Sequence, residues 1–158
     1  MLNIDNITYR RATLDDLEVL VETRVRTLRA ANKLPDSEEM SDVRENTREY
    51  YRAALSDNSH VAYLVYDSDV VVATGGVTFY SLMPMYVLKT GKCAYIMNMY
   101  TAPEYRRRGI AWKMLDLLVT EVRSRGLISV ALEATEMGKP MYEKYGFKVQ
   151  DCEMRLEF

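Results

Sequence analysis

Residues 94–122 read AYIMNMYTAPEYRRRGIAWKMLDLLVTEV, and the reading of this stretch decides the fold. Residues 94–101 (AYIMNMYT) are apolar and aromatic-rich, and Pro103 closes the run, as expected of a strand. Downstream, Ile110, Met114, Leu117, Leu118 and Val122 recur at helical spacing and predict an amphipathic helix from Gly109 to Arg125, with Gly126 as its C-cap. Between them lies a strand-to-helix turn, Arg106-Arg107-Arg108-Gly109, carrying three cations and a glycine. The first amides of a helix lack intrahelical partners and sit at the positive end of its dipole, so they suit phosphate oxygens. A glycine there lets a ligand approach the backbone. The turn reads as a pyrophosphate cradle, and composition alone equally allows a solvated basic loop. Neither G-x-G-x-x-G nor G-x-x-x-x-G-K-[ST] occurs in the chain.

Bulk properties narrow the function classes. A chain of 158 residues with 48% hydrophobic and 28% charged residues suits one soluble domain over residues 1–158. Lys plus Arg total 21 against 23 Asp plus Glu, a net charge of −2, which argues against general nucleic-acid binding. The three arginines are therefore a local feature. Two cysteines, Cys93 and Cys152, and one histidine, His60, offer neither a disulfide framework nor a metal site, so no metal is expected. No apolar run approaches a membrane span and no signal peptide precedes Ile7, so the expected compartment is the cytoplasm.

Working outward, residues 7–12 read as a first strand and Thr13 as an N-cap. Leu14, Leu17, Val21, Val25 and Leu28 predict a helix to about Ala31. Asp36 and Glu39 suggest a capping box for a second helix ending near Leu55. Residues 61–66 and 70–80 predict a hairpin, with Gly75-Gly76 marking a bulge or a close backbone approach. Residues 81–92 form a loop, 127–134 a strand, 136–145 a short helix and 147–158 a last strand.

Residues 106–111 resemble the R/Q-x-x-G-x-G/A signature of the GNAT superfamily of acyl-CoA N-acetyltransferases. Residues 141–147 (MYEKYGF) resemble its second signature, aliphatic-Tyr-Glu-Lys-x-Gly-Phe. The order β-α-α-β-β-β-α-β-α-β agrees with that fold. The resemblance implies an α/β (α+β mixed) protein, with a mixed, mostly antiparallel sheet, helices on both faces, and splayed fourth and fifth strands. It implies acetyl-CoA as acetyl donor, with Met99, Tyr100 and Thr101 offering backbone groups to the pantetheine arm and residues near Met99 the oxyanion donor. Arg106, Arg107, Arg108, Gly109, Ile110 and Ala111 would hold the pyrophosphate. Thr135 stands where relatives often carry an asparagine touching the cofactor.

Tyr142 aligns with the tyrosine that often protonates the leaving thiolate, and Tyr145 reads as packing. A phenol of pKa about 10 can supply a proton to a thiolate whose conjugate acid lies near 8.5; packing on the cofactor arm is the other reading. Glu133, at the end of the fifth strand, is the leading candidate base, beside a water route lined by Asn98 and Tyr95; an exposed structural carboxylate is the alternative. Trp112 reads either as an adenine-side contact or as a core residue, and His60 as structural rather than catalytic. The acceptor site is expected from the first two helices, their loop near residues 33–41, and residues 80–92.

These expectations amount to an acetyl-CoA-dependent N-acetyltransferase acting on a primary amine of a small molecule. Acetylation of a protein N-terminus or lysine, or a non-catalytic acyl-CoA sensor, are the alternatives. A homodimer through the last strand and Met154 is expected by analogy alone.

Overall fold

The computed structural model describes residues 6–150 and 152–158. Five strands form one sheet: β1 (Ile7–Arg11), β2 (His60–Asp67), β3 (Val70–Ser81), β4 (Lys92–Thr101) and β5 (Ala131–Leu132), in the order β1-β2-β3-β4-β5. The first three pairings are antiparallel and β4·β5 is parallel. Four helices cover it: α1 (Leu17–Asn32), α2 (Ser41–Ser56), α3 (Ile110–Ser124) and α4 (Lys139–Tyr145). This is the mixed sheet with helices on both faces that the sequence predicts.

Because both faces are covered, β2 is apolar on both. Val61 and Val65 join α3 in the larger core, whereas Ala62 and Leu64 pack with Leu20 of α1 and Tyr51 of α2. Helix α3 buries Ile110, Met114, Leu115, Leu118, Val119 and Val122; Leu117 is only half-buried, so the apolar stripe runs one residue away from it. Each fully buried side chain of this kind contributes roughly 1.5–3 kcal/mol.

The helix starts show what local sequence decides. Thr13 Oγ1 accepts the amide of Asp15, and the Asp16 carboxylate accepts the amide of Thr13 in return. This box opens a 3-10 turn, Leu14–Asp16, so the regular helix starts only at Leu17 and Leu14 is left exposed. The second helix starts at Ser41, later than Asp36 suggests, because the Glu39 carboxylate takes the backbone amide of Ser41.

The C-terminal elements are shorter than expected. The strand expected at 127–134 is reduced to Ala131–Leu132, and the helix expected from Glu136 starts at Lys139. The last strand is absent among the described residues of 147–158, and residue 151 lies outside them. A strand requires a ladder to pair with, and two-residue β5 offers little of one. Phe147 packs on the core, while Val149, Met154, Leu156 and Phe158 are exposed. No helix among the described residues is long and apolar enough to cross a membrane. The expectation about a leader before Ile7 falls on residues 1–5, outside the described residues.

Candidate active site

The site is built where β4 loses its neighbour. β5 pairs with β4 only at Tyr95↔Ala131 and Ile96↔Leu132, so residues 97–101 have no partner on that side. This is the splay expected of the fourth and fifth strands. The register with β3 also breaks here: Thr74 faces Tyr100 and Gly76 faces Met97, so Gly75 alone opposes Asn98 and Met99. The extra residue lies in β4 at Asn98, whose φ is +60°. Asparagine is among the residues that tolerate this conformation. The glycines of β3 serve the close approach instead. A Cβ on Gly75 would fall 2.7 Å from Met99 Sδ, and one on Gly76 would fall 2.4 Å from His60 Nε2.

The bulge changes which way β4 faces. Alternation would send Asn98 to the α3 side with Ala94 and Ile96. Instead Met97 and Asn98 both reach the α1/α2 side, and Met99 returns to the α3 core.

At the far end of β4 the chain makes the glycine turn. Arg106 Nε donates to Thr101 O at 3.0 Å, fixing the turn to the strand. Arg107 and Gly109 adopt positive φ of +61° and +80°, and Gly109 is the N-cap of α3. Arg107, Arg108 and Gly109 are exposed, with the Arg108 guanidinium 5.9 Å from the Tyr105 ring centre. A Cβ on Gly109 would meet nothing within 4 Å, so the space over this helix start is open. Ile110 is a core residue and Ala111 is half-buried; of the two, only backbone groups belong to the turn.

Tyr142, on α4, is 7% exposed and shares the buried cluster of Ile96 and Met114, against which Met99 and Tyr100 pack. Its ring lies edge-on to Phe147 at 5.8 Å, and no hydrogen bond holds its hydroxyl among the described residues. Burial pushes its pKa up to about 12. Thr135 closes the turn into α4: its Oγ1 accepts the Gly138 amide at 3.2 Å and its carbonyl accepts the Lys139 amide. Trp112 is not a core residue; it is exposed on α3, 5.1 Å from the Tyr145 ring. The Tyr145 hydroxyl donates to Asp116. Glu133 stands just past the end of β5, with an exposed side chain 3.3 Å from Arg155.

On the α1/α2 side of β4 lies a cleft of about 800 Å³. Arg24 and Leu28 of α1, the α2 face from Val43 to Tyr51, and Tyr95, Met97 and Asn98 of β4 line it. Neither the loop at 33–41 nor residues 81–92 contribute; Tyr80, within β3, is the sole part of the expected 80–92 segment that does. At its base His60 is 2% exposed, with Nδ1 2.9 Å from both Tyr50 Oη and Thr78 Oγ1. Its Nε2 is buried without a partner among the described residues. Burial, and secondarily the Arg24 charge, lower its pKa to about 4, so the ring is neutral. Asn98 donates to Tyr51 Oη and accepts from Arg24. The sequence did not single out Arg24, Tyr50 or Tyr51. The available signal was the alternation HVAYLVY, which sets His60 on the Ala62/Leu64 face beneath those helices.

A strand opened by a bulge and a glycine turn at a helix start, with Tyr142 buried in the core they share, fit the class of acyl-CoA-dependent transferases. The comparisons agree: the acetyltransferase (GNAT) family model matches residues 23–147. The chain belongs to that family of enzymes, which use acetyl-CoA as donor. The fold is similar to a predicted acetyltransferase with acetyl-CoA from Clostridium acetobutylicum, at TM-score 0.88 and 34% identity over 96% of each chain. It is also similar to a GCN5-related N-acetyltransferase from Ralstonia eutropha JMP134, at TM-score 0.85 and 26% identity over 96% of this chain and 98% of that one. A 63-residue stretch is 33% identical to glucosamine 6-phosphate N-acetyltransferase of Trypanosoma brucei brucei, covering 40% of this chain. That match spans 43% of the relative's length.

Proposed function

We propose that this acetyltransferase moves the acetyl group of acetyl-CoA to a primary amine of a small molecule, and that residues 1–158 act as one catalytic unit. The observation that carries the acceptor class is the cleft beside open β4. Its volume of about 800 Å³ lies within the roughly 300–1,000 Å³ range of small-molecule sites, and tyrosines wall it.

Acetyl-CoA supplies an activated thioester. The free backbone edge of residues 97–101 receives the pantetheine arm, and an amide near Met99 donates to the thioester oxygen as it gains charge. The amides at 107–111, with the Arg107 and Arg108 side chains, hold the pyrophosphate, while Trp112 and Thr135 flank the cofactor. The amine attacks from the cleft. An N–C bond forms, the C–S bond breaks, and the sulfur takes a proton from Tyr142. Glu133, which lies outside the cleft lining, takes the amine's proton through water along Tyr95 and Asn98.

Magnitudes refine the role of Tyr142. Burial raises its pKa to about 12, so the phenol holds its proton until the developing thiolate, desolvated in the same site, becomes comparably basic. Tyr142 therefore donates a hydrogen bond to the sulfur early and yields its proton only as the thiolate separates. Calorimetry with acetyl-CoA and CoA, followed by an amine screen detecting free thiol, tests the reading. Micromolar binding with turnover of small amines is the expected result. Binding without turnover overturns the enzymatic reading in favour of a sensor, and turnover restricted to peptides overturns the acceptor class.

A further inference from the structure

Arg24 stands in the cleft with no counter-ion. Arginine is always charged, yet no Asp or Glu lines this cavity, and no carboxylate lies within 4 Å of Arg24 among the described residues. Of the five acidic residues of the same helix pair, Glu22 pairs with Arg44, Glu18 and Glu45 pair with Arg48, and neither Asp42 nor Glu49 lines the cleft. What Arg24 has is Asn98 Oδ1 at 3.5 Å, the outer limit of a hydrogen bond. A half-buried guanidinium beside Leu28, Tyr51 and Met97 is poorly solvated, so an anion delivered to it gains more than one at an open surface.

Tyr95 of β4 lines the same cleft, and the Glu133 and Glu153 carboxylates outside it share Arg155. A molecule lying across the cleft thus meets a cation at α1 and, at β4, the strand whose edge is open beyond Ile96. Resting on the transferase reading above, we infer that the acceptor is an amine that also carries an anionic group, a carboxylate or a phosphate, which Arg24 binds while the amine points toward Tyr95 and open β4.

The test uses matched acceptors: phenylalanine, its carboxamide and phenethylamine, with glucosamine 6-phosphate and glucosamine as the phosphate pair. Each is assayed for thiol release with wild type, Arg24→Gln and Arg24→Lys, and for thermal protection in the presence of CoA. The expected result is a preference of about 10- to 100-fold in kcat/KM for the anionic member of at least one series. Arg24→Gln abolishes that preference, Arg24→Lys keeps part of it, and acetyl-CoA affinity is unchanged in both. The series showing the preference separates carboxylate from phosphate. Equal use of charged and neutral amines, or an equal loss on both in Arg24→Gln, overturns the inference and leaves the transferase reading standing. Without turnover of any amine the transferase reading fails; protection by anionic amines that Arg24→Gln removes still supports the anion site, and its absence overturns it.

Discussion

In the proposed reaction Tyr142 and Gly109 carry the donor half of the site, and each has one property that a single atom tests. Tyr142 is buried with an unengaged hydroxyl, so removing the oxygen disturbs little packing and leaves no orphaned partner. Tyr142→Phe should lower kcat by roughly 10²- to 10⁴-fold with acetyl-CoA affinity nearly constant. Unchanged turnover would exclude the phenol from proton transfer. Gly109 acts through space and conformation. At φ +80° any side chain is strained, and the region its Cβ would enter is open within 4 Å. Gly109→Asp adds a negative charge where phosphates approach, so acetyl-CoA affinity should fall at least about tenfold, by roughly 1.4 kcal/mol or more; titration calorimetry reads it directly. Undiminished affinity would place the pyrophosphate elsewhere. The placement of both residues, at a helix start and buried on α4, was legible from sequence because each lies inside a contiguous motif whose order of turn, helix and strand fixes its surroundings.

At the scale of elements, the β4 bulge shapes the cleft; the resemblance implied the splay of this strand, but the residue at which the bulge falls was not legible. Strict alternation along AYIMNMYT assigns Asn98 to the α3 face; the one-residue irregularity turns it beneath α1 instead. The Gly75-Gly76 pair did announce a close approach, and the two positions differ. A Cβ on Gly75 would press on the sulfur of Met99 and on Met114, flexible groups that can yield. A Cβ on Gly76 would press on the His60 ring, which Tyr50 and Thr78 hold in place. Gly76→Ala should therefore destabilise by about 1–3 kcal/mol, and Gly75→Ala by less. Urea midpoints at constant m compare the two. A larger effect at Gly75 would mean that the imidazole is free to move.

Over the whole molecule, the cleft gathers residues that are distant in sequence: Arg24, Tyr50, His60 and Asn98 come from α1, α2, β2 and β4. No motif spans them, which is why a reading from local pattern placed the glycine turn and Tyr142 but pointed to the first two helices without naming Arg24, Tyr50 or Tyr51. Their assembly has a measurable consequence for stability. His60 titrates at about 4 when folded, mainly through burial and then through Arg24, against 6.5 when exposed. Its folded pKa is depressed, so the unfolded chain takes up a proton first as the solution is acidified. The stability it confers is present above pH 6.5 and is lost as pH falls toward 4, by an amount on the order of 3 kcal/mol. Asp16 is a separate case. Its carboxylate is held below the usual 3.8, first by its hydrogen bond from Arg10, so its contribution is lost only at still lower pH. Denaturant unfolding of wild type and His60→Gln at pH 7 and pH 5 distinguishes the two groups. Wild type should lose more stability than the variant across that interval, and equal losses would show that the imidazole is already solvated in the native cleft.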